Sequence, residues 1–250
     1  MAESRVTPAF YARRGGRAAD WWTLLHPPYT VWHVSYVALG AGIAPRLDWT
    51  ALGAMVLAFF LAVGLAAHAL DELNGRPLGT RISDGVLRGV AGVALTAACA
   101  LGVVGAFFQG PTNWALAFAI PVGALLVVGY NLELFGGRLH NDATFAWAWG
   151  GFPVAVGFLA QSPALTWTLL AAAVAATLAG VGTAYAQRRL STPARDLRRR
   201  TADVTGTVRR LDGRSDPLER STLLAPLEGA LRALSWAVPA VAVAVLLARA

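Results

Sequence analysis

HALDELNGRPLGTR, from His68 to Arg81, is a polar stretch held between two apolar runs, one ending near Leu70 and the next beginning near Gly89. That position decides the fold class, because acids and arginines then stand at the edge of what reads as a pair of membrane-crossing helices. His68 and Asp71 are three residues apart and share one face of a last helical turn. The negative end of a helix disfavours Asp71 and Glu72 there, so a cation has to compensate. Arg76, Arg81 or a metal ion brought in by a substrate are the candidates. Gly75 and Pro77 prevent the helix from continuing.

Outward from this stretch the chain stays apolar. Over 250 residues it is 56% hydrophobic and 14% charged, the composition of a multi-span membrane protein rather than a soluble domain. All 21 basic residues are Arg, and the formal net charge is +7. In a membrane protein that excess records topology and contact with anionic lipid headgroups. No basic groove interleaved with aromatics is present, so nucleic acid is not an expected partner. Cys99, the single cysteine, lies in an apolar run and has no internal disulfide partner. Residues 1–28 form a segment of their own, with Arg5, Arg13, Arg14 and Arg17 followed by Trp21 and Trp22. That order suits a cytoplasmic or interfacial segment at the headgroup layer and not a cleaved signal peptide.

Crossing a bilayer takes about 17–25 apolar residues. Runs of that order fall at roughly 29–45, 49–70, 89–108, 114–132, 143–160, 164–186 and 229–248. They predict an all-α, polytopic membrane helical bundle of about seven transmembrane helices over 29–250, with a basic cytoplasmic loop at 187–228. A membrane β-barrel is excluded, since the alternation of its strands is missing. With the N-terminus cytoplasmic, the inner segments take Arg5 to Arg17, Arg76 to Arg88, Arg138, and Arg188 to Arg232. Only Arg46 and Arg249 fall outside, and the outer connections at 109–113 and 161–163 carry no charge. The expectation is an integral protein of the cell membrane with its C-terminus outside. The arginine-rich first half of 187–228 reads as a helix lying on anionic lipid, with Arg188 or Arg189 able to reach a phosphate.

Three inner loops carry the polar residues to one membrane face. The first holds His68, Asp71, Glu72, Asn74 and Arg76. The second, GYNLELFGGRLHND, supplies Tyr130, Asn131, Glu133, Arg138, His140, Asn141 and Asp142. The third supplies Tyr185, Gln187, Arg188 and Arg189. Glu133 repeats the situation of Asp71, an acid at the negative end of a span, and acids at a membrane edge are functional candidates. Plainer roles stand beside these. Asp71 with Arg76 and Glu133 with Arg138 make ordinary loop ion pairs, Asn141 and Asp142 cap the following helix, and Tyr130 and Tyr185 anchor at the interface. His26, His33 and His68 have no spacing that demands haem. The glycine pairs at 150–151 and at 180 and 182 serve close helix packing.

The segments from Leu25 to Ser83 and from Gly129 to Gly157 resemble the UbiA-type intramembrane prenyltransferases. Arg76, Pro77, Leu78 and Ile82 match the run that follows that family's aspartate-rich loop, and Tyr130 matches its tyrosine at the end of a later span. The resemblance implies a helical bundle whose aspartate motifs bind Mg2+ and an isoprenyl pyrophosphate on the cytoplasmic side, with the isoprenoid tail in a lipid-facing cavity. On that basis Asp71 and Glu72, with Asn74 beside them, are the metal ligands, and Arg76 and Arg138 contact phosphate oxygens. Asp71, Glu72, Tyr130 and Glu133 are the catalytic candidates. His68, Asn74, Arg76, Asn131, Arg138, Tyr185, Gln187 and Arg188 are the substrate-binding ones. The chain departs from the pattern in three ways. His68 stands where the first Asn or Asp belongs, Thr183, Tyr185 and Gln187 replace the second aspartate motif, and about seven spans replace nine. Prenyl transfer is the expected activity. The alternative is a non-catalytic relative that binds an isoprenoid lipid or quinone, or supports a partner membrane enzyme; the missing second motif favours it.

Overall fold

The computed structural model describes residues 7–108, 113–162 and 166–249. Among these the chain runs as helices α1 (Gly16–Leu25), α2 (Pro27–Gly42), α3 (Trp49–Leu73), α4 (Asp84–Phe108), α5 (Asn113–Asn131), α6 (142–159) and α7 (Trp167–Arg199). A hairpin of β1 (Thr207–Arg209) and β2 (Ser215–Pro217) follows, and then α8 (Arg220–Leu247). Arg5 and most of the connections expected at 109–113 and 161–163 lie outside the described residues.

The helix starts are written locally. Asp48 accepts from the amides of Thr50 and Ala51 at 2.8 and 3.0 Å at the head of α3. Asn141 accepts from Thr144 N at 2.8 Å at the head of α6, the capping role expected of it. His26 takes a left-handed backbone (φ 47°) between α1 and α2, and Pro27 opens α2 at the position where a missing N–H costs least.

Five helices are long and apolar enough to cross a membrane: α3, α4, Trp114–Asn131 of α5, α7 and α8. The expectation of seven therefore needs correction. Of the other two runs, α2 has only 16 residues, and α6 is divided by a π-helical segment, Trp147–Gly151, between Asp142–Ala146 and Phe152–Leu159. Both lie inside the bundle, where Trp32, Tyr36, Val37, Val154 and Phe158 are buried. The two run parallel and close together, His33 beside Trp149 at one end and Ala44 beside Phe158 at the other. A Cβ at Gly40 would collide with the backbone at Val154, and one at Gly157 with the backbone at Val37. Hydropathy does not separate an apolar helix facing lipid from one facing protein, so run length alone overcounts.

α8 lies parallel to α2. Val245 packs on Gly42, and Arg249 donates to the carbonyls of Ala44 and Pro45 at 3.0 Å. This end of the bundle also holds the reciprocal Asp48–Gln161 pair, at 2.8 and 2.9 Å. The opposite end gathers the polar segments. There a second correction applies, because no loop begins at Gln187: α7 continues through Pro193 to Arg199.

Candidate functional site

Two π-helical segments shape the polar end. In α3, residues Phe60–Ala67 form a π segment, and the His68 amide bonds to Leu65 O rather than to Gly64 O. The freed Gly64 carbonyl accepts instead from Nδ1 of the His68 ring at 3.0 Å. In α6, Pro153 has no N–H to give Trp149 O one turn back, and that carbonyl accepts from Nδ1 of His33 at 3.0 Å. Wide helical turns recur at functional sites for this reason, since they expose backbone groups and redirect side chains. Val63, Ala66, Ala67, Ala148, Trp149 and Tyr130 close into one apolar cluster between the two segments.

On that floor stands a polar cavity of about 630 Å3. His68, Asp71 and Asn74 line it from α3 and the residue that ends it, Tyr130, Asn131 and Glu133 from α5 and the turn after it, and Gln187, Arg188, Arg195 and Arg199 from α7. Residues 187–199 reach it because one helical face repeats every three to four residues. The first two loops meet directly, Asn74 Nδ2 donating to Asn131 O at 3.2 Å. Tyr130 stacks on His140 with ring centroids 4.4 Å apart and packs against Trp149 at 4.8 Å.

Trp149 belongs to two chambers. Beneath it an apolar cavity of about 140 Å3 runs between α3, α4, α5 and α6, lined by small and aliphatic side chains such as Ala51, Ala58, Val63, Gly102 and Val127. From Ala51 to Val63 this wall spans about 18 Å of helix.

The mouth of the polar cavity is covered by residues of the N-terminal segment. Arg198 donates to Thr7 O and Thr7 Oγ1 at 3.3 Å and Arg199 to Pro8 O at 3.0 Å. Trp22 Nε1 donates to Tyr11 O at 3.0 Å. The Tyr11 ring lies edge-on to His26 and Tyr29, at 4.9 and 5.3 Å. Burial first, and then Tyr29, push the Tyr11 phenol well above its ordinary pKa, so it stays protonated. Burial also holds His26 well below the usual imidazole value, helped by His68, Arg199 and Arg195, so the ring is neutral at physiological pH. Its edge meets His68 at 4.2 Å.

The charges divide into those held and those available. Arg188 is held by Asp142 at 3.1 Å and His140 at 3.3 Å. Arg198 is paired with Glu228, and Arg200 with Asp196 at 3.6 Å. Arg195 makes no hydrogen bond or ion pair among the described residues, and Asp71 is likewise without one; Arg195 and Arg199 are the cations that act on Asp71 most strongly. The compensation expected from Arg76 or Arg81 therefore comes from α7. Arg76 pairs with Asp84 and donates to Ile82 O, and Arg81 pairs with Asp20 at 3.1 Å.

Of the residues proposed from sequence, His68, Asp71, Asn74, Tyr130, Asn131, Glu133, Gln187 and Arg188 line the cavity, while Glu72, Arg76, Arg138 and Tyr185 do not. Glu72 is fully buried. Its carboxylate accepts from Leu78 N at 2.9 Å, Thr80 N at 2.8 Å and Thr80 Oγ1 at 2.9 Å, fixing the loop that follows α3. Arg138 is exposed, and Tyr185 is 45% exposed. Glu133 reaches His140 at 3.7 Å and not Arg138.

These placements do not fit the expected Mg2+ site. One of its two carboxylates is fully engaged in loop hydrogen bonds, and the other shares its cavity with the guanidinium groups of Arg195 and Arg199. Among the described residues no group of three or more His, Cys, Asp or Glu is placed to hold a metal ion.

Sequence reasoning missed Tyr11, His26, Tyr29, His33, Arg195 and Arg199 as cavity residues. The available signal was the recurrence of Gln187, Arg188, Ser191, Arg195 and Arg199 at helical spacing, which continues α7 past the apolar run. No protein-family model, curated protein or solved structure matches this chain.

Proposed function

We propose that this membrane protein binds an isoprenyl pyrophosphate, or an amphiphile of that build, and transfers its prenyl group, as its resemblance to the UbiA-type prenyltransferases implies. One observation carries the reading: the polar cavity with its available Arg195 shares Trp149 with an apolar chamber between the helices, so an anionic head and a long hydrocarbon tail have adjoining places. The pyrophosphate is met by Arg195 and Arg199, whose guanidinium forks match phosphate oxygens. The allylic carbon then lies near Tyr130, Phe145 and Trp149, whose π faces stabilise positive charge. The membrane face is the cytoplasmic one, where the arginine excess belongs. Charge neutralisation of the leaving pyrophosphate is assigned to Arg195 and Arg199, which line the same cavity.

Purified protein in lipid nanodiscs, given geranylgeranyl diphosphate, is expected to bind it with EDTA present and to release pyrophosphate. Arg195→Ala is expected to weaken binding about 10- to 100-fold, the loss of one or two charge-assisted hydrogen bonds. Absence of binding, or binding indifferent to Arg195, defeats the proposal. The second reading, a non-catalytic isoprenoid or quinone binder or a support for a partner membrane enzyme, is favoured by the engagement of Glu72 in its own loop. Binding without pyrophosphate release identifies it.

A further inference from the structure

Residues 7–13 cross the mouth of the polar cavity without helix or strand, and Pro8, Ala9, Phe10 and Tyr11 line it there. Apart from two short-range bonds to Ala9 O, at 3.1 Å each, the segment is held by partners outside it. The Arg13 end is fastened to α1. Arg13 N donates to Thr23 Oγ1 at 2.9 Å, that hydroxyl donates back to Arg13 O at 3.1 Å, and the guanidinium lies 3.8 Å from the centre of the Trp22 ring. In the middle, the Phe10 and Tyr11 rings meet Tyr29 edge-on at 6.0 and 5.3 Å. The Thr7 end is clasped by Arg198 and Arg199 of α7, 191 residues away along the chain.

The two halves of the clasp differ. Arg198 is committed to Glu228, to which Nε and Nη2 both donate, and its Nη1 reaches Thr7 O and Thr7 Oγ1 at 3.3 Å each. Those two contacts are longer than the usual range of about 2.7–3.2 Å. Arg199 has no acidic partner among the described residues, and its Nε donates to Pro8 O at 3.0 Å. The better-formed link of the clasp is therefore the one that no carboxylate holds in place. Arg199 also lines the cavity, so it stands between a main-chain carbonyl on the segment and the space assigned to a diphosphate. The carbonyl is a neutral acceptor, and a phosphate oxygen, being charged, is the stronger partner for a guanidinium.

We infer that residues 7–13 are a strap that a bound diphosphate unclasps: the anion draws Arg199 from Pro8 O, the Thr7 end lifts off α7 while the Arg13 end stays on α1, and the cavity opens to the aqueous phase. This rests on the prenyl pyrophosphate reading above. Inorganic pyrophosphate is multiply charged and cannot leave through the apolar chamber beneath Trp149, so its way out is toward water, and the strap lies across it. No covalent bond is made or broken in the opening. The coupling is the difference between the two acceptors in their hold on Arg199, the differential affinity that any ligand-driven change requires. Movement of a segment of this kind commonly gates product release.

Ala9 is 6% exposed, so Ala9→Cys in a Cys99→Ala background reports release of the strap by its rate of reaction with a water-soluble maleimide. The full chain in lipid nanodiscs is labelled with and without radiolabelled geranylgeranyl diphosphate or inorganic pyrophosphate, and binding is read in the same samples. Bound diphosphate is expected to speed labelling about tenfold or more, the fold-change for one charge-assisted hydrogen bond lost. Arg199→Ala is expected to label at the faster rate with no ligand present. Ala19→Cys, at a buried position of α1, is expected to stay slow throughout, which separates release of the strap from loss of the fold. A bound diphosphate that leaves labelling at Ala9→Cys unchanged or slows it, an Arg199→Ala protein no faster than its parent, or Ala19→Cys accelerating in step overturns the inference alone. Failure of both diphosphates to bind defeats the prenyl pyrophosphate reading and this inference with it.

Discussion

Asp71 and Glu72 are neighbours in the chain with opposite environments. Glu72 is enclosed by the loop that it organises, and Asp71 faces a cavity between helices. Glu72→Ala leaves the amides of Leu78 and Thr80 without their acceptor, at about 1–3 kcal/mol for each buried group left unpaired. The expected result is a loss of roughly 3 kcal/mol and a fall in thermal midpoint of about 2–4 °C per kcal/mol for a chain of this size, read by unfolding in detergent. An unchanged midpoint contradicts a structural role for Glu72. His26 gives a pH-dependent prediction. Its pKa in the folded protein lies below the ordinary 6.5, so as pH falls through that value the unfolded chain takes up a proton that the folded one refuses, and stability drops. His26→Asn keeps the left-handed backbone accessible and removes the titration. The variant's stability is expected to vary less than wild type between about pH 7 and pH 5; parallel pH profiles of the two proteins oppose that account.

At the scale of elements, the two π segments set the site. Each releases a carbonyl, one to His68 and one to His33, and each carries wall residues of the cavity or its floor. Pro153→Ala restores an N–H that competes for Trp149 O, which frees His33 to change tautomer and lets Gln187 turn. The expected outcome is a change in the His33 15N shifts that report tautomer, with prenyl diphosphate affinity lowered about tenfold, the equivalent of about 1.4 kcal/mol. Unaltered His33 shifts contradict the role given to proline. Neither π segment was legible in the sequence, because a widened turn has no hydropathy signal, although Pro153 marks one of them. The capping of α6 by Asn141 was legible, because a cap depends on residues within four positions of each other.

For the whole molecule, the testable quantity is orientation. The arginine-rich end is expected to face the cytoplasm. In a Cys99→Ala background, Arg46→Cys in intact cells is expected to react with a membrane-impermeant thiol reagent and Gly213→Cys to be protected until the membrane is opened. The reverse pattern inverts the topology. The five long helices arise from composition and run length, quantities that any window of sequence contains. The demotion of α2 and α6 from lipid-facing spans to interior helices does not, since it depends on Gly40 and Gly157 meeting backbones more than a hundred residues away.

The sequence by itself determined that the chain is a helical membrane protein and that its polar residues collect at one end, because hydropathy, charge bias and helix periodicity are local properties. It also singled out Asp71, Tyr130 and Gln187 by their positions at the ends of apolar runs. Tertiary structure decided which of two adjacent acids is available, which arginine answers it, and which ring nitrogen of His33, His68 and His140 carries the proton. Those outcomes depend on hydrogen-bond partners supplied by distant helices, such as Trp149 for His33 and Arg195 for Asp71, and the spacing of residues along one helix does not encode them.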